Sequence, residues 1–160
     1  MAENVKTPAD SAVETRYLVM PGDANAFETA FGGAILSWID QVAAMAAQRH
    51  CGGQVVTAGI DSVAFEKPVH VGEQVVLLAM VNYVSHTSME VGVKVIGENP
   101  TTGTHFVATR AFLTLVAIDD DHRPIPASPL TPKTEQEIRR WNNAALRVKA
   151  RKQLREQTQR

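Results

Sequence analysis

Phe31-Gly32-Gly33-Ala34-Ile35-Leu36-Ser37-Trp38-Ile39-Asp40-Gln41-Val42-Ala43-Ala44-Met45-Ala46-Ala47 reads as a glycine turn that opens an apolar, alanine-rich helix. Ile35, Leu36, Ile39, Val42, Ala43 and Ala46 recur at steps of three and four, while Ala34, Ala44 and Ala47 keep the other faces small and apolar. This spacing predicts a helix covered on most sides. Asp40 is the one charged residue between Ala34 and Ala47. A buried carboxylate must be solvated by a partner, a capped amide or a water-filled pocket, because leaving it bare is costly. It is therefore either a structural Asp held by a hydroxyl or an arginine, or a reacting group.

Gly32 and Gly33 would let a ligand approach the backbone closely, and the free N–H groups of a first helical turn suit a developing negative charge. Asp40 follows Gly33 by seven residues. Both thus point to nearly the same side, roughly 10 Å apart along the axis. A polarised carbonyl at one end and a carboxylate-held water at the other fit that span.

With 44% hydrophobic and 21% charged residues, the 160-residue chain is one globular domain able to bury its own core. A net charge of −1 gives no overall case for nucleic acid or membrane as a partner. Cys51 is the single cysteine, so neither an intrachain disulfide nor a cysteine zinc site can form, and a free thiol fits a reducing, cytoplasmic location. No signal peptide or transmembrane segment is expected.

Residues 1–11 are polar and expected to fray, residues 12–132 form the domain, and residues 133–160 form a basic C-terminal helix. A first strand over residues 14–20 ends at Pro21-Gly22, and a turn-rich loop then leads into the central helix, which should stop near Gly52-Gly53. Afterwards the pattern changes to period two. Strands are expected over residues 55–65, 74–84, 88–95 and 105–117, with Met89, Val91, Val93 and Val95 sharing one face. Pro124, Pro126, Pro129 and Pro132 then keep the chain extended before Thr134-Glu135-Gln136-Glu137, a capping box. Ile138, Trp141, Ala145 and Val148 should form the apolar stripe of the last helix. From Ile138 onward there are eight Lys or Arg and one acid, Glu156, which reads as a solvated face or as a cradle for a polyanion.

Strand, helix and four strands make an α+β pattern, one helix wrapped by a five-stranded antiparallel sheet, which resembles the hotdog fold. At the level of motifs, Met20-Pro21-Gly22-Asp23-Ala24-Asn25, Phe31-Gly32-Gly33, Ile39-Asp40, Val55-Val56-Thr57, Phe65-Glu66-Lys67-Pro68-Val69, Val71-Gly72-Glu73 and Thr87-Ser88-Met89-Glu90-Val91 resemble the hotdog acyl-CoA thioesterases. These include the cytosolic acyl-CoA hydrolases and the bacterial YciA-like enzymes, and the likeness spans about residues 12–130. It implies hydrolysis of an acyl-CoA to a carboxylic acid and free CoA, with no metal or organic cofactor. It also implies that Asp40 is the catalytic carboxylate, that Asn25 helps position the reacting groups and that Gly33 lends its N–H to the carbonyl. Thr87 and Ser88, and less directly Thr57, correspond to positions beside the CoA substrate. Three departures stand out: Glu28 where many members have Gly, Gln41 where many have Glu after the Asp, and Ser85-His86 before Thr87.

A thioester carbonyl needs a pull on its oxygen and a nucleophile, which a helix N-terminus and a carboxylate can supply. The carboxylate acts as base toward water or attacks directly to give an anhydride, and the sequence does not choose between them. An enoyl-thioester hydratase is a second reading, since Gly22-Asp23-Ala24-Asn25 echoes a hydratase motif, but that motif's Pro and His are absent at Ala26 and Glu28. A non-catalytic acyl-CoA sensor is a third, although it has no need of a lone acid on an apolar helix. His50, His70, His86, His105 and His122 show no metal-ligand spacing and read as surface or strand residues. Open sheet edges call for a partner, and the resemblance implies a homodimer, assembled further into a trimer of dimers, with each site shared between chains.

Overall fold

A computed structural model describes residues 5–159. Strand β1 (Val13–Leu18) precedes helix α1 (Gly32–Cys51), and β2 (Gln54–Ile60), β3 (Ala64–Phe65), β4 (Gln74–Val84), β5 (Ser88–Glu98), β6 (His105–Ile118) and helix α2 (Glu135–Thr158) follow. The strands form one antiparallel sheet in the order β1-β4-β5-β6-β2, with β3 pairing further along β6. The expected strand over residues 55–65 is two strands. Asp61, Ser62 and Val63 leave the ladder between them, as suits residues of low strand propensity at its head.

Helix α1 lies in the concave face of this sheet. Ile35, Ile39, Val42, Ala43, Ala46 and Ala47 are buried against inward residues of the long strands, among them Leu77, Met89, Leu113 and Leu115. Gly52 at φ 70° closes the helix, its N–H donating to the Gln48 carbonyl over 2.8 Å. The expectation of cover on most sides is corrected. Gly33, Ser37, Gln41 and Met45 form an exposed stripe, four residues apart, because a single sheet can cover only one side of a helix.

The frayed N-terminus is also corrected for its described part, residues 5–11. Pro8–Ser11 form a turn of 3-10 helix in which Pro8 and Ser11 are buried. Ser11 Oγ donates to the Pro8 carbonyl and accepts the Val81 N–H at 2.8 Å, beside an irregularity in β4 that frees that amide.

Helix α2 packs on the outer, convex face. Its capping box forms as expected, with Glu137 N–H donating to Thr134 Oγ1 and Thr134 N–H to Glu137 Oε2. Burial pushes the Glu137 carboxyl up, but N–H donors from Lys133, Thr134 and Ala9 outweigh it and hold it below its usual range. Of the expected stripe, Trp141, Ala145 and Val148 are half-buried while Ile138 is 44% exposed, and the sheet side also carries Glu137, Ala144, Arg147 and Arg151. Trp141 packs on Tyr83 with ring centroids 4.5 Å apart. Among the described residues, no helix is long and apolar enough to cross a membrane.

His50 is neither a surface nor a strand residue. It sits near the end of α1 at 1% exposure, with Nε2 donating to the Ser128 carbonyl at 2.8 Å and Nδ1 without a partner. Burial holds this imidazole below its usual 6.5, against the opposing pull of the Ser128 carbonyl. The unfolded chain therefore takes up a proton that the folded chain refuses, and the His50 contribution to stability is whole above about pH 6.5 and falls as the pH drops below it. Urea unfolding followed from about pH 8 to pH 5 should show the midpoint falling over the acidic half of that range. His50→Gln, which keeps a donor for Ser128, should flatten that fall, and an unaltered pH profile in the variant would exclude His50 as its source.

Candidate active site

The loop between β1 and α1 is organised by Asn25. Its Oδ1 accepts the Phe27 N–H at 2.9 Å and the Thr29 N–H at 3.2 Å, and its Nδ2 lies 2.9 Å from Thr29 Oγ1. Glu28 within this loop has φ 59°, the left-handed region that glycine occupies without strain. That backbone requirement accounts for glycine at the corresponding place in the family pattern. Within one chain every hydrogen bond of the Asn25 side chain stays in its own loop.

Helix α1 begins without a side-chain cap. The Ala34 and Ile35 N–H groups both reach the Phe31 carbonyl, while those of Gly32 and Gly33 have no acceptor among the described residues. The far ends of two aromatic rings crowd these glycines, and a side chain at either would have to turn a ring aside. A Cβ on Gly33 would fall 2.7 Å from the Phe31 ring, and one on Gly32 would fall 3.3 Å from the Phe65 ring. The first turn is thus flanked by two half-exposed phenyl rings.

Asp40 is half-buried on the same side of α1 as Gly33. Thr57 Oγ1 on β2 donates to Asp40 Oδ1 at 2.6 Å, a short charge-assisted bond. No Lys, Arg or His pairs with Asp40 among the described residues. One oxygen is therefore held by a neutral donor, and the second is left for another partner. The structure brings Thr57 to Asp40, whereas the sequence reading had set it beside CoA. Thr57 donates inward because alternation along β2 turns it toward α1, on the side of its ladder partner Leu115, itself in the core.

Thr87 and Ser88 are not brought to Asp40 within one chain. Ser88 alternates with the buried Met89 and faces outward, where it lines a cleft of about 360 Å³ with Tyr83, Arg151, Lys152 and Arg155. No group of three or more His, Cys, Asp or Glu that could hold a metal ion occurs among the described residues. Sequence reasoning missed the ion-pair network Arg147–Glu90–Arg151–Asp61 behind this cleft, in which Glu90 is 1% exposed. Met89-Glu90-Val91 puts Glu90 on the outward face of a regular alternation, so the strand pattern carries no signal of its burial.

The chain matches the thioesterase superfamily over residues 27–104. It is 41% identical over 150 residues to YkhA, an uncharacterized acyl-CoA thioester hydrolase of Bacillus subtilis, an alignment covering 94% of this chain and 87% of that one. Among solved structures it is similar to an apo-hexameric acyl-CoA thioesterase, with 37% identity, a TM-score of 0.92, and coverage of 99% of this chain and 100% of the other. It is similar also to an acyl-CoA hydrolase of Staphylococcus aureus in complex with butyryl-CoA, CoA and CoA disulfide, with 36% identity, a TM-score of 0.89, and coverage of 96% and 94%. That staphylococcal enzyme has been solved with alanine in place of one Asn, one Asp and one Thr, separated by 15 and then 17 residues, the spacing of Asn25, Asp40 and Thr57.

Proposed function

The chain belongs to the hotdog-fold acyl-CoA thioester hydrolases of the thioesterase superfamily, and from that premise we propose that it adds water across the thioester of an acyl-CoA, releasing CoA and a carboxylic acid. The observation that carries this reading is the 2.6 Å bond from Thr57 to Asp40 Oδ1, with the unbonded Gly33 N–H on the same side of α1. Gly33 N–H draws on the carbonyl oxygen as negative charge develops there. Asp40 with its free oxygen either takes a proton from the attacking water or attacks the carbonyl carbon itself. In both routes the C–S bond breaks and the thiolate of CoA leaves with a proton that comes finally from water. The Phe31 and Phe65 rings offer apolar surface to the acyl chain.

Asn25 enters as a positioning group delivered by a second chain. Its loop is self-contained within its own subunit, and β2, an open edge, offers the backbone groups through which two sheets would join. The assembly is then a homodimer that associates further as a trimer of dimers, in keeping with six chains in the hexameric relative. Thr87 and Ser88 serve the far end of CoA, where Lys152 and Arg155 line the same cleft. A cytoplasmic location suits the unpaired Cys51.

Release of thiol from butyryl-CoA tests the chemistry. Asp40→Asn should lower kcat by roughly 100- to 10,000-fold, the usual weight of a general base, with the fold preserved. Full activity in a folded Asp40→Asn protein would falsify the assignment.

Subunit mixing tests the shared site. A dimer of one Asn25→Ala chain and one Asp40→Ala chain holds one doubly damaged site and one intact site if the residues come from different subunits. Mixing the two inactive homodimers under subunit exchange should then restore activity, up to half per mixed dimer. A flat result after verified exchange means that one chain supplies both residues.

A further inference from the structure

Helix α2 meets the sheet through arginines. Glu90 points from β5 to the outer face, where Oε1 accepts from Arg147 Nε at 2.9 Å and Nη2 at 2.6 Å, and Oε2 accepts from Arg151 Nη1 at 2.9 Å. The same Arg151 Nη1 donates to Asp61 Oδ2 at 2.6 Å. One guanidinium nitrogen thus joins a carboxylate under α2 to a carboxylate at the end of β2. Arg151 already faces two carboxylates, one of them 1% exposed, so its charge is offset within the fold.

Asp61 directly follows β2, four residues beyond Thr57, and its own N–H donates to the Phe112 carbonyl of β6 at 3.0 Å. Strand β2 is an edge strand paired only with β6, and its register shifts between Thr57 and Gly59. Gly59 has open space where a Cβ would lie, so no side chain steadies that bulge. Three side-chain bonds tie β2 to the rest of the domain: Gln54 to Asp120 at 3.5 Å, Thr57 to Asp40 at 2.6 Å and Asp61 to Arg151 at 2.6 Å. The last adds a tie from α2 to the segment after the bulge, where Gly59 and Ile60 keep Thr114 and Leu113 of β6 as partners.

We infer that the Arg151–Asp61 ion pair is a positioning contact for the reaction: it fixes the end of β2 against α2, so that Thr57 keeps one oxygen of Asp40 in place. This inference rests on Asp40 being the reacting carboxylate. It gives the basic C-terminal helix a role on the opposite face of the sheet from the chemistry, acting through the strand between them.

Asp61→Ala is the test, because it frees β2 while leaving Arg151 on Glu90 and α2 docked. With butyryl-CoA as substrate, kcat should fall roughly 10- to 100-fold, as for a misplacement of a few tenths of an ångström to 1 Å, while KM stays within about two-fold. Asp61→Glu should restore most of the rate. In a Thr57→Val background, the added Asp61→Ala should cost less than about two-fold more, since its route of action is already lost. An unchanged kcat, the same fold-loss in the Thr57→Val background, or a raised KM with kcat kept each overturns the inference. Should Asp61→Ala fail to fold, Asp61→Leu carries the same test with the side-chain volume kept. Full activity in Asp40→Asn removes this inference together with the reading beneath it, whereas an inactive Asp40→Asn beside a fully active Asp61→Ala removes the positioning role alone.

Discussion

The approach of α1 to the concave face of the sheet is limited by its buried side chains, in which the bulk of Ile39 and Val42 is followed by the small Ala43, Ala46 and Ala47, all 0% exposed. Larger residues there would push the helix outward, at a cost of about 1–3 kcal/mol for overpacking alone. Closeness matters more for the chemistry than for stability. The Asp40 side chain is short, and the Thr57 hydroxyl reaches it at 2.6 Å, so helix and strand must lie close at this point.

The two faces of the sheet use opposite physics. The inner face is almost wholly apolar and gains from removing Val, Leu and Met side chains from water. The outer face carries Glu90 beneath Arg147 and Arg151, with the Arg147 guanidinium also 3.6 Å from the centroid of the Phe112 ring. A buried ion pair of this kind adds little net stability, since desolvation offsets the attraction. What it supplies is direction: an aliphatic helix face could slide over the sheet, whereas two arginines on one glutamate admit a single register for α2.

Most of this architecture was legible in residue patterns. The three- and four-residue steps of α1, the alternation Met89-Val91-Val93-Val95 and the Thr134–Glu137 capping box all appear where local chemistry puts them. Three features were hidden because they are decided by tertiary partners. Ile138 is left exposed because the buried position beside it goes to Glu137, whose carboxylate takes the N–H groups of Lys133 and Ala9. His50 is buried because its ring finds the Ser128 carbonyl, which no sequence period encodes. Thr57 was legible as a strand hydroxyl, but its donation to Asp40 depends on the pairing of β2 with β6.

The order of the strands bears on how the chain is made. Helix α1 ends at Cys51, but β5, part of the surface that covers it, is complete only at Glu98. At about 5–20 residues per second, that interval leaves an apolar helix without its cover for roughly 2–9 s during synthesis. Strand β1 waits as well, since its partner β4 begins only at Gln74. Sheet closure is thus a late event joining distant segments, and the nascent chain passes through a period in which its apolar helix is made but the strands that cover it are not.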